Sequence, residues 1–437
     1  MSRIIIGGGP AGLRAAAAAQ DATLFDPTEA LGGLTHPELP EDRGVADSAA
    51  EANIAAVYGE APAIPAERLT MALRCNGVTV ALPMRRRQLA SLLPKDALVP
   101  AVVEMARVRA RARMHDLMGG GQERRTVAHW GDHLFGQVLY DHVYNAYIRQ
   151  RYGDPDELNV SVARVHHGVP APSSWVGLGS TPAAGLAALR RKISTVHQGA
   201  RLEAIEVRGG KVDALRTAEG RVELSGELWY AGPLESLGAL LGDALPTGPR
   251  WQLSRLRGRH RISVAMRRVG AGEELPAELH IADPAPFFRL SRPELLFDDV
   301  DLAGVVVAEL SLAADDRRAA ASDAELAALV AEAVKKLGLP DLDPSTARVR
   351  RLAHYDPEWV GPWHPNHLAL ALALSAMGVH LVGRLATHRY VDAGQELQYM
   401  TALQKRPGEL RELSRTLLDP PVTLNDQDVS LTRFVER

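Results

Sequence analysis

Three features of the sequence predict an α/β fold with a parallel sheet at its N-terminus. Residues 4–6 (Ile-Ile-Ile) form a short β-branched run of the kind found in buried parallel strands. A glycine-rich turn follows, and residues 13–19 are an Ala-rich stretch without a helix breaker. Leu24-Phe25 is a second strand-like pair, and it ends at Asp26. This order of strand, helix and strand predicts a βαβ unit.

The turn after the first strand has the G-x-G-x-x-G spacing, with Gly7, Gly9 and Gly12 in the three glycine positions. Gly7 allows a tight turn out of the strand, and Gly9 has no Cβ, so a pyrophosphate could approach the backbone. Gly12 lets the helix pack closely on the sheet. The turn therefore predicts a dinucleotide-binding site.

The residues around this turn refine the prediction. Pro10 and Ala11 lie at the expected helix N-terminus, where free N–H groups and the positive end of the helix dipole attract phosphate. Asp26 follows Gly7 by 19 residues, the distance at which a carboxylate accepts hydrogen bonds from an adenosine ribose. An acid at that position favours an unphosphorylated ribose, and hence NAD or FAD rather than NADP.

A glycine pair favours FAD over NAD. After Asp26 the chain continues through a short loop to Gly32, Gly33 and Leu34. This acid, loop and glycine pair resembles the FAD-binding fold shared by amine oxidases, phytoene desaturases, protoporphyrinogen oxidases and UDP-galactopyranose mutases. The resemblance implies that Gly32, Gly33 and Leu34 pass close to the cofactor. It also implies a Rossmann-like FAD-binding domain that is discontinuous in sequence, an antiparallel-sheet substrate domain and a helical insertion.

A second segment near the C-terminus carries the same resemblance. A short strand over residues 379–382 ends at Gly383, and Asp392 is a suitable N-cap for a following helix. The segment resembles the C-terminal FAD segment of UDP-galactopyranose mutases. By that match Gly383, Arg384 and Asp392 contact the cofactor, while Arg389 and Tyr390 face the substrate pocket.

The chain departs from these relatives at two places. Where they carry a Gly-Gly-His or Gly-Pro-His motif along the flavin, this chain has Ala49-Ala50-Glu51. Glu51 is therefore either a catalytic candidate, together with Arg389 and Tyr390, or an exposed acid on a helix. The relatives also continue from the acid at position 392 as Asp-Met-Asp or Asp-Met-His, whereas this chain reads Asp-Ala-Gly.

Two hairpins are predicted between these ends. Asn76-Gly77 separates two strand-like runs, and this pair suits a type I′ turn because both positions need positive φ. Gly209-Gly210 separates residues 200–207 from residues 211–216. By the resemblance, the second hairpin lies in the returning part of the cofactor domain, and Leu202 is the candidate for contact with the adenine.

Further elements are predicted from periodicity. Residues 89–118 and 323–337 are expected to be helical, and residues 222–231 are expected to form one strand. Tyr140, Tyr144 and Tyr147 have the spacing of one helical face, a stripe that belongs either to the core or to a pocket. A strand over residues 347–355 ends in Tyr355, which the resemblance places near the substrate.

The expected domain division follows from the same comparison. Residues 1–70, 176–250 and 356–437 are assigned to the FAD-binding domain, with residues 71–175 and 251–355 in the substrate and helical domain. Strand-rich sequence over residues 253–310 predicts the antiparallel sheet of the substrate domain.

Composition excludes several classes of protein. The 50 basic and 53 acidic residues give a net charge of −3, which argues against a dedicated nucleic-acid binder. Cys75 is the single cysteine, so intrachain disulfides and thiolate metal sites are excluded and no metal is expected. The longest apolar run, residues 368–382, is short and interrupted, so no integral membrane segment is expected. Because the first strand begins at the N-terminus, we expect no signal peptide and a cytoplasmic location.

Three functions agree with these observations. The first is an FAD-dependent oxidoreductase that transfers hydride from a small-molecule substrate to flavin N5. The second is a redox-neutral sugar-nucleotide mutase, and the third is a non-catalytic relative that acts as a partner subunit. Tyr355, Arg389 and Tyr390 are the substrate-binding candidates, and a homodimer is compatible with the sequence.

Overall fold

A computed structural model defines the fold. It describes residues 3–19, 21–29, 31–33, 63–64, 70–82, 84–118, 126–160, 162, 177–178, 183–224, 227–270, 274–296, 302–361, 363–388 and 435–436.

The strands within these ranges are β1 (Arg3–Ile6), β2 (Ala22–Asp26), β3 (Ala63–Ile64), β4 (Met71–Cys75), β5 (Val78–Ala81), β6 (Met84–Arg85), β7 (Gly177–Leu178), β8 (Thr195–Gln198), β9 (Leu202–Arg208), β10 (Lys211–Thr217), β11 (Gly220–Glu223), β12 (Leu228–Tyr230), β13 (Arg257–Arg268), β14 (Glu278–Ile281), β15 (Arg289–Ser291), β16 (Val305–Leu312), β17 (Leu342–Glu358), β18 (Val379–Leu381) and β19 (Val435–Glu436).

The α-helices are α1 (Pro10–Ala17), α2 (Arg86–Ser91), α3 (Lys95–Met118), α4 (Val127–Phe135), α5 (Gln137–Leu139), α6 (Ala146–Tyr152), α7 (Ala183–Arg191), α8 (Leu234–Leu241), α9 (Thr247–Ser254), α10 (Pro293–Leu296), α11 (Asp323–Lys336), α12 (Trp363–Ala376) and α13 (Gly383–Ala386). A π-helix spans Tyr140–Asn145, and short 3-10 helices span Gly242–Ala244 and Arg317–Ala320. Within the described ranges, none of the helices combines the length and apolar character needed to cross a bilayer.

The N-terminal βαβ unit forms the centre of a five-stranded parallel sheet, in the order β18-β12-β1-β2-β8. Ile5 is fully buried on one face, in a cluster with the apolar residues of α1 and α7. Ile4 and Ile6 point to the other face, where they join residues of α8 and α12. Because both faces are covered, residues 4–6 of the strand are all apolar, as the sequence predicted.

Residues 222–231 were predicted to form one strand, and this prediction was wrong. The segment contributes β11 to a small antiparallel sheet (β11-β10-β9) and β12 to the parallel sheet. The apolar pattern on both sides of Ser225-Gly226 looks continuous in sequence, but this pair has the composition of a turn. The hairpin around Gly209-Gly210 was predicted correctly, with β9 and β10 as its strands.

A seven-stranded sheet, ordered β17-β13-β16-β15-β14-β4-β5, forms the second layer. Its neighbouring strands are antiparallel except for the parallel pair β14–β4. Along β13 the side chains of Ile262, Val264 and Met266 lie on one face and pack with α11. The opposite face carries Arg259 and Arg261, and both are buried near the C-terminal end of α6.

The Asn76-Gly77 turn connects β4 and β5 as predicted, with φ of 52° and 76° at its two residues. Both values lie in the left-handed region that a type I′ turn requires. Cys75, just before the turn, is buried, and its thiol donates to the carbonyl oxygen of His142 at 3.1 Å.

The tyrosine stripe does not form one regular α-helical face, because a π-helix begins at Tyr140. Tyr140 and Tyr144 are buried in the core of the helical insertion, where Tyr144 stacks on Phe135 with ring centroids 4.4 Å apart. Tyr147 instead reaches the seven-stranded sheet, and its hydroxyl lies 2.9 Å from Nδ1 of His280. The structure therefore places the first two tyrosines in the core and the third at a polar interface.

Candidate functional site

A cavity of about 430 Å³ lies at the carboxyl ends of the parallel strands. In open α/β sheets, ligands bind at this edge. The lining includes nine residues that the sequence predicted as cofactor ligands: Gly7, Gly9, Pro10, Ala11, Asp26, Gly33, Leu202, Gly383 and Arg384. Segments far apart in sequence therefore line one cavity.

Gly7 and Gly12 are glycines because the fold requires it. Gly7 has φ of 106°, a value that L side chains rarely adopt. A Cβ at position 12 would lie 1.8 Å from the carbonyl oxygen of Gly7. Gly12 therefore lets α1 pack against the turn, as its place in the glycine pattern predicts.

Gly9 differs from these two glycines. It is the N-cap of α1, with φ of −70° and ψ of 177°, a conformation open to any residue. The nearest atom to a Cβ built at this position is the Cα of Gly33, 3.8 Å away, which is an ordinary contact. Gly9 lines the cavity, and no contact with the described part of the chain demands glycine there, so the missing side chain suits the close approach of a ligand.

The N-terminus of α1 opens onto the cavity at Pro10 and Ala11. The first-turn amides of Ala11 and Gly12 have no acceptor within the helix, because helix geometry leaves the first N–H groups free. The first turn carries no acidic side chain. These amides and the helix dipole make the site suitable for a phosphate group.

Asp26 is buried and holds the glycine turn in place. Its carboxylate accepts hydrogen bonds from the Gly8 amide, from the Thr28 amide at 2.7 Å and from the Thr28 hydroxyl. A Cβ at position 8 would lie 2.6 Å from Oδ2 of Asp26, so the acid packs directly on the turn. The acid therefore lines the cavity and organises its phosphate end.

The glycine pair after Asp26 docks on the same turn. The Gly32 amide donates to the carbonyl oxygen of Gly8 at 2.9 Å, and a Cβ on Gly33 would lie 2.8 Å from the Cα of Gly9. Both glycines have positive φ, 126° at Gly32 and 52° at Gly33. Gly33 lines the cavity, and its carbonyl oxygen accepts a hydrogen bond from Arg350.

Leu202 begins β9 of the small antiparallel sheet and lines the cavity together with the C-terminal Gly383 and Arg384. The neighbouring Ala200 amide donates to the carbonyl oxygen of Asp26 at 2.9 Å, which attaches this segment to the end of β2. Arg201 and Leu240 complete this part of the lining. These two residues were not predicted.

Arg384 lines the cavity, but its guanidinium group contacts residues of the seven-stranded sheet. Its guanidinium pairs with Asp356 at 2.9 Å and lies 4.3 Å from the ring centroid of Tyr355. Tyr355 is buried between this guanidinium and that of Arg261, whose distance to the ring is 4.6 Å. Tyr355, the predicted substrate residue, therefore lies between two guanidinium groups and is not among the residues that line the cavity.

A buried polar network on the seven-stranded sheet was missed at the sequence level. Arg261 pairs with both Asp356 and Glu309, and Arg289 pairs with Glu309 and with Glu278. The signal was present as charged and polar residues at every second position: 259, 261 and 263, then 278 and 280, then 309 and 311. A period of two on a strand places such residues on one face.

Burial and the neighbouring charges shift the pKa values of groups in this network. Burial alone would raise the pKa of the Asp356 carboxyl, but the guanidiniums of Arg261 and Arg384 hold it below its usual value. Burial lowers the pKa of the His280 imidazole, which the nearby Glu278 carboxylate opposes. Arg151 lies over the rings of Phe288 and Tyr152 and donates to the Tyr147 hydroxyl at 2.8 Å.

Five predicted site residues lie outside the described ranges: Leu34, Glu51, Arg389, Tyr390 and Asp392. Within the part of the chain that the structure describes, no group of three or more His, Cys, Asp or Glu side chains is arranged to hold a metal ion.

No protein-family model and no curated protein match the sequence. Solved structures do match. A reduced UDP-galactopyranose mutase has a TM-score of 0.75 at 13% identity, and the match covers 99% of each chain. A CLA-producing fatty acid isomerase from P. acnes has a TM-score of 0.61 at 16% identity, covering 92% of this chain and 98% of that one. Cyclohexylamine oxidase from Brevibacterium oxydans IH-35A has a TM-score of 0.60 at 16% identity, covering 93% and 99%.

The chain therefore has the fold that these solved structures share. The resemblance predicted from the glycine motifs is confirmed at the level of fold, across almost the whole chain. The α/β architecture with a parallel sheet and a second, largely antiparallel sheet is likewise confirmed.

Proposed function

We propose that this protein binds FAD in the cavity at the end of the parallel sheet. In this proposal it is an FAD-dependent oxidoreductase that moves hydride from a small-molecule substrate to flavin N5. One observation carries the proposal: the turn at Gly9, the start of β9 at Leu202 and the Gly383-Arg384 pair line the same cavity. In the superfamily whose fold this chain has, these are the segments expected around the dinucleotide.

The residues present fit an FAD molecule. The first-turn amides of α1 face the side left open at Gly9 and would hold the pyrophosphate. Asp26 would accept a hydrogen bond from the adenosine ribose, in addition to those it receives from the turn. Leu202 would contact the adenine, and Gly383 would lie at the flavin end. When bound, the flavin supplies the two-electron chemistry.

The chain's own contribution is position and electrostatics. The buried network of Arg261, Arg289 and Arg384 with its carboxylates fixes the sheet face behind the cavity. Arg384 connects the two layers, because it lines the cavity and pairs with Asp356 on β17. We further propose that Arg389 and Tyr390 face the substrate, since they follow directly in sequence.

The domain division also stands as a proposal, with residues 1–70, 176–250 and 356–437 forming the cofactor domain. The three sequence segments that supply the parallel sheet support it: β1 and β2, then β8 and β12, then β18.

A titration tests cofactor binding directly. Protein freed of bound small molecules should take up one FAD per chain in a calorimetric or fluorescence titration, with ADP as a competitor. NADP should not compete, because a 2′-phosphate would meet the Asp26 carboxylate. Failure to bind FAD at all would leave the non-catalytic partner role as the remaining reading.

A redox-neutral sugar-nucleotide mutase is the second candidate. It is favoured by the UDP-galactopyranose mutase structure, whose TM-score of 0.75 exceeds the 0.61 and 0.60 of the isomerase and the amine oxidase. A mutase should convert a UDP-sugar only after the flavin is reduced, and without net consumption of an oxidant. An oxidoreductase should instead bleach its own flavin when given its substrate.

A further inference from the structure

A cluster of titratable side chains lies next to the cavity but outside its lining. Glu235 is in the first turn of α8, between the lining residues Pro233 and Ser236. Its Oε1 lies 3.5 Å from Nδ1 of His388 and 3.9 Å from Nδ1 of His354. One carboxyl group therefore faces two imidazoles.

The three residues come from three different elements. Glu235 belongs to a helix on the parallel sheet, His354 to β17 of the seven-stranded sheet, and His388 to the chain that leaves α13. The cluster therefore joins both layers of the molecule to the segment directly before Arg389-Tyr390.

The backbone has an unfavourable conformation at both histidines of the cluster. Among the non-glycine residues described, positive φ occurs only at Asn76, His354 and His388, with 54° and 48° at the two histidines. Asn76 is explained by its hairpin turn. Left-handed φ at an ordinary residue persists only where the surroundings over-determine it, and such residues concentrate at functional sites. Here both direct an imidazole at the same carboxyl.

Two further elements contact the cluster, although the His354 side chain is 31% exposed and His388 also lines a second cavity. A Cβ on Gly258 of β13 would lie 2.7 Å from Oε1 of Glu235 and 2.9 Å from Nδ1 of His354. Trp359 holds the backbone of His388, since its indole N–H donates to the carbonyl oxygen of that residue at 2.7 Å. His388 is 3% exposed, and the Glu235 side chain is 15% exposed.

Further titratable groups face the cluster from the elements packed against it. Tyr230 of β12 feels the Glu235 charge, His260 of β13 lies 5.6 Å from His354 between ring centroids, and His367 of α12 lies 6.4 Å from His388. Arg384, four residues before His388, is already paired with Asp356.

We infer that Glu235, His354 and His388 form a proton-holding site that fixes the chain after α13. With the carboxyl protonated and both imidazoles neutral, the cluster holds no buried charge, and among the described residues Oε1 of Glu235 and Nδ1 of His354 have no hydrogen-bond partner. Loss of that proton leaves a buried carboxylate between two neutral rings, which weakens the anchor of the segment leading to Arg389.

Directions of pKa shift agree with this geometry. Burial raises the pKa of Glu235 to about 7, which its own backbone hydrogen bond opposes. Burial, and then the neighbouring His354, lowers the pKa of His388 to about 3, and burial also lowers the pKa of His354. The carboxyl contribution to stability is therefore complete below its ordinary pKa and is lost as pH rises through 7. The histidine contributions run the other way and are lost as pH falls below about 6.5.

Hydrogen exchange of the full chain tests the inference, and it does so whether or not FAD binds. Glu235→Gln keeps the size and hydrogen bonding of the side chain but cannot lose a proton. At pH 8.5 the amides of residues 383–388 should be at least roughly tenfold better protected in Glu235→Gln than in the wild type. At pH 5 the two proteins should differ little. If the Glu235 side chain had only a packing role, Glu235→Gln would instead lower the protection of residues 383–388 at both pH values.

The matched control is Glu227→Gln. Glu227 also lies beside a histidine, with Oε1 3.7 Å from Nε2 of His380, but its side chain is 40% exposed. This variant should leave the protection of residues 383–388 unchanged at both pH values.

Histidine NMR of the wild type keeps the inference testable if Glu235→Gln does not fold. The His388 ring should stay neutral down to pH 5 and sense one titration step near pH 7, when Glu235 ionises. Protonation of His388 with an ordinary midpoint near 6.5, or equal or lower protection in Glu235→Gln at pH 8.5, would overturn the proposal.

Discussion

Gly12 packs so closely on Gly7 that a methyl group on Gly12 would lie 1.8 Å from the Gly7 carbonyl oxygen. At Gly9, three residues earlier, a Cβ would meet no atom of the described residues closer than 3.8 Å. Glycines of one motif therefore have separate roles. The first contact is demanded by the fold, whereas the space at Gly9 serves what enters the cavity.

This difference predicts opposite effects of two alanine substitutions. Gly12→Ala should destabilise the protein by about 3 kcal/mol or more, because helix α1 must move away from the turn. Gly9→Ala should change the free energy of unfolding by less than about 1 kcal/mol and yet weaken FAD binding at least tenfold, because its Cβ enters the ligand space. Urea unfolding and FAD titration measure the two effects. Equal FAD affinity in Gly9→Ala and the wild type would contradict the assignment of this turn.

Asp26→Ala should abolish stoichiometric FAD binding. The substitution removes the acceptor for the Gly8 amide and for both Thr28 donors, so the phosphate-binding turn loses its support as well as the proposed ribose contact. We expect a stability cost of about 1–3 kcal/mol in addition, because the Gly8 amide loses its acceptor. Asp21→Ala, at the exposed start of the same β-strand region, is the control and should bind FAD normally. Full flavin occupancy in Asp26→Ala would refute the role given to the acid.

Cys75 should resist alkylation in the folded protein. Burial, followed by the nearby Asp283 carboxylate, raises the pKa of its thiol to about 12. At pH 8 the thiolate fraction is then about a thousandfold below that of an exposed cysteine, and labelling should slow at least in proportion. Iodoacetamide labelling followed by mass spectrometry measures the rate, and the same chain in urea is the control. Rapid labelling without denaturant would show that β4 is not packed as described.

Arg261→Met should destabilise the protein by roughly 3–5 kcal/mol, because it leaves two buried carboxylates, Asp356 and Glu309, short of a cationic partner. The surface offers a matched control. Arg221 pairs with three carboxylates but its side chain is 37% exposed, so solvent screens these pairs and Arg221→Met should leave the free energy of unfolding nearly unchanged. Urea unfolding at pH 7 compares the two variants, and similar costs would contradict the burial of the network.

The same network sets an acid limit on stability. The pKa of Asp356 is held below its ordinary value in the folded protein, so its contribution is present above about pH 4 and is lost as pH falls through the folded pKa. The free energy of unfolding should therefore fall with acidification below pH 4. The decrease in the free energy of unfolding below pH 4 should be smaller in Arg261→Met, because one of the two arginines beside Asp356 is absent.

Local signals made the N-terminal part of the site readable from sequence. The strand, glycine turn, helix and acid lie within about two dozen residues. Each of these elements follows backbone rules that hold without tertiary context. Asn76-Gly77 was predictable for the same reason. The pairing of this segment with Gly383-Arg384 needed the family resemblance, because no local rule brings two ends of a chain together.

What escaped prediction depends on packing between distant elements. Glu235, His354 and His388 lie more than thirty positions apart in sequence, and nothing near any of them marks the other two. The π-helix at Tyr140 also has no simple sequence signature, so the tyrosine stripe was interpreted with an α-helical period. The alternating charges of the seven-stranded sheet could have been recognised, but charged residues on strands are more often exposed.

We propose that distant parts of one chain close around FAD, and the absorbance spectrum of the freshly purified protein is the decisive test of this claim. We predict the two bands of an oxidised flavin, at close to one flavin per chain, and their loss when dithionite is added. A colourless protein that stays colourless after incubation with FAD would contradict the claim.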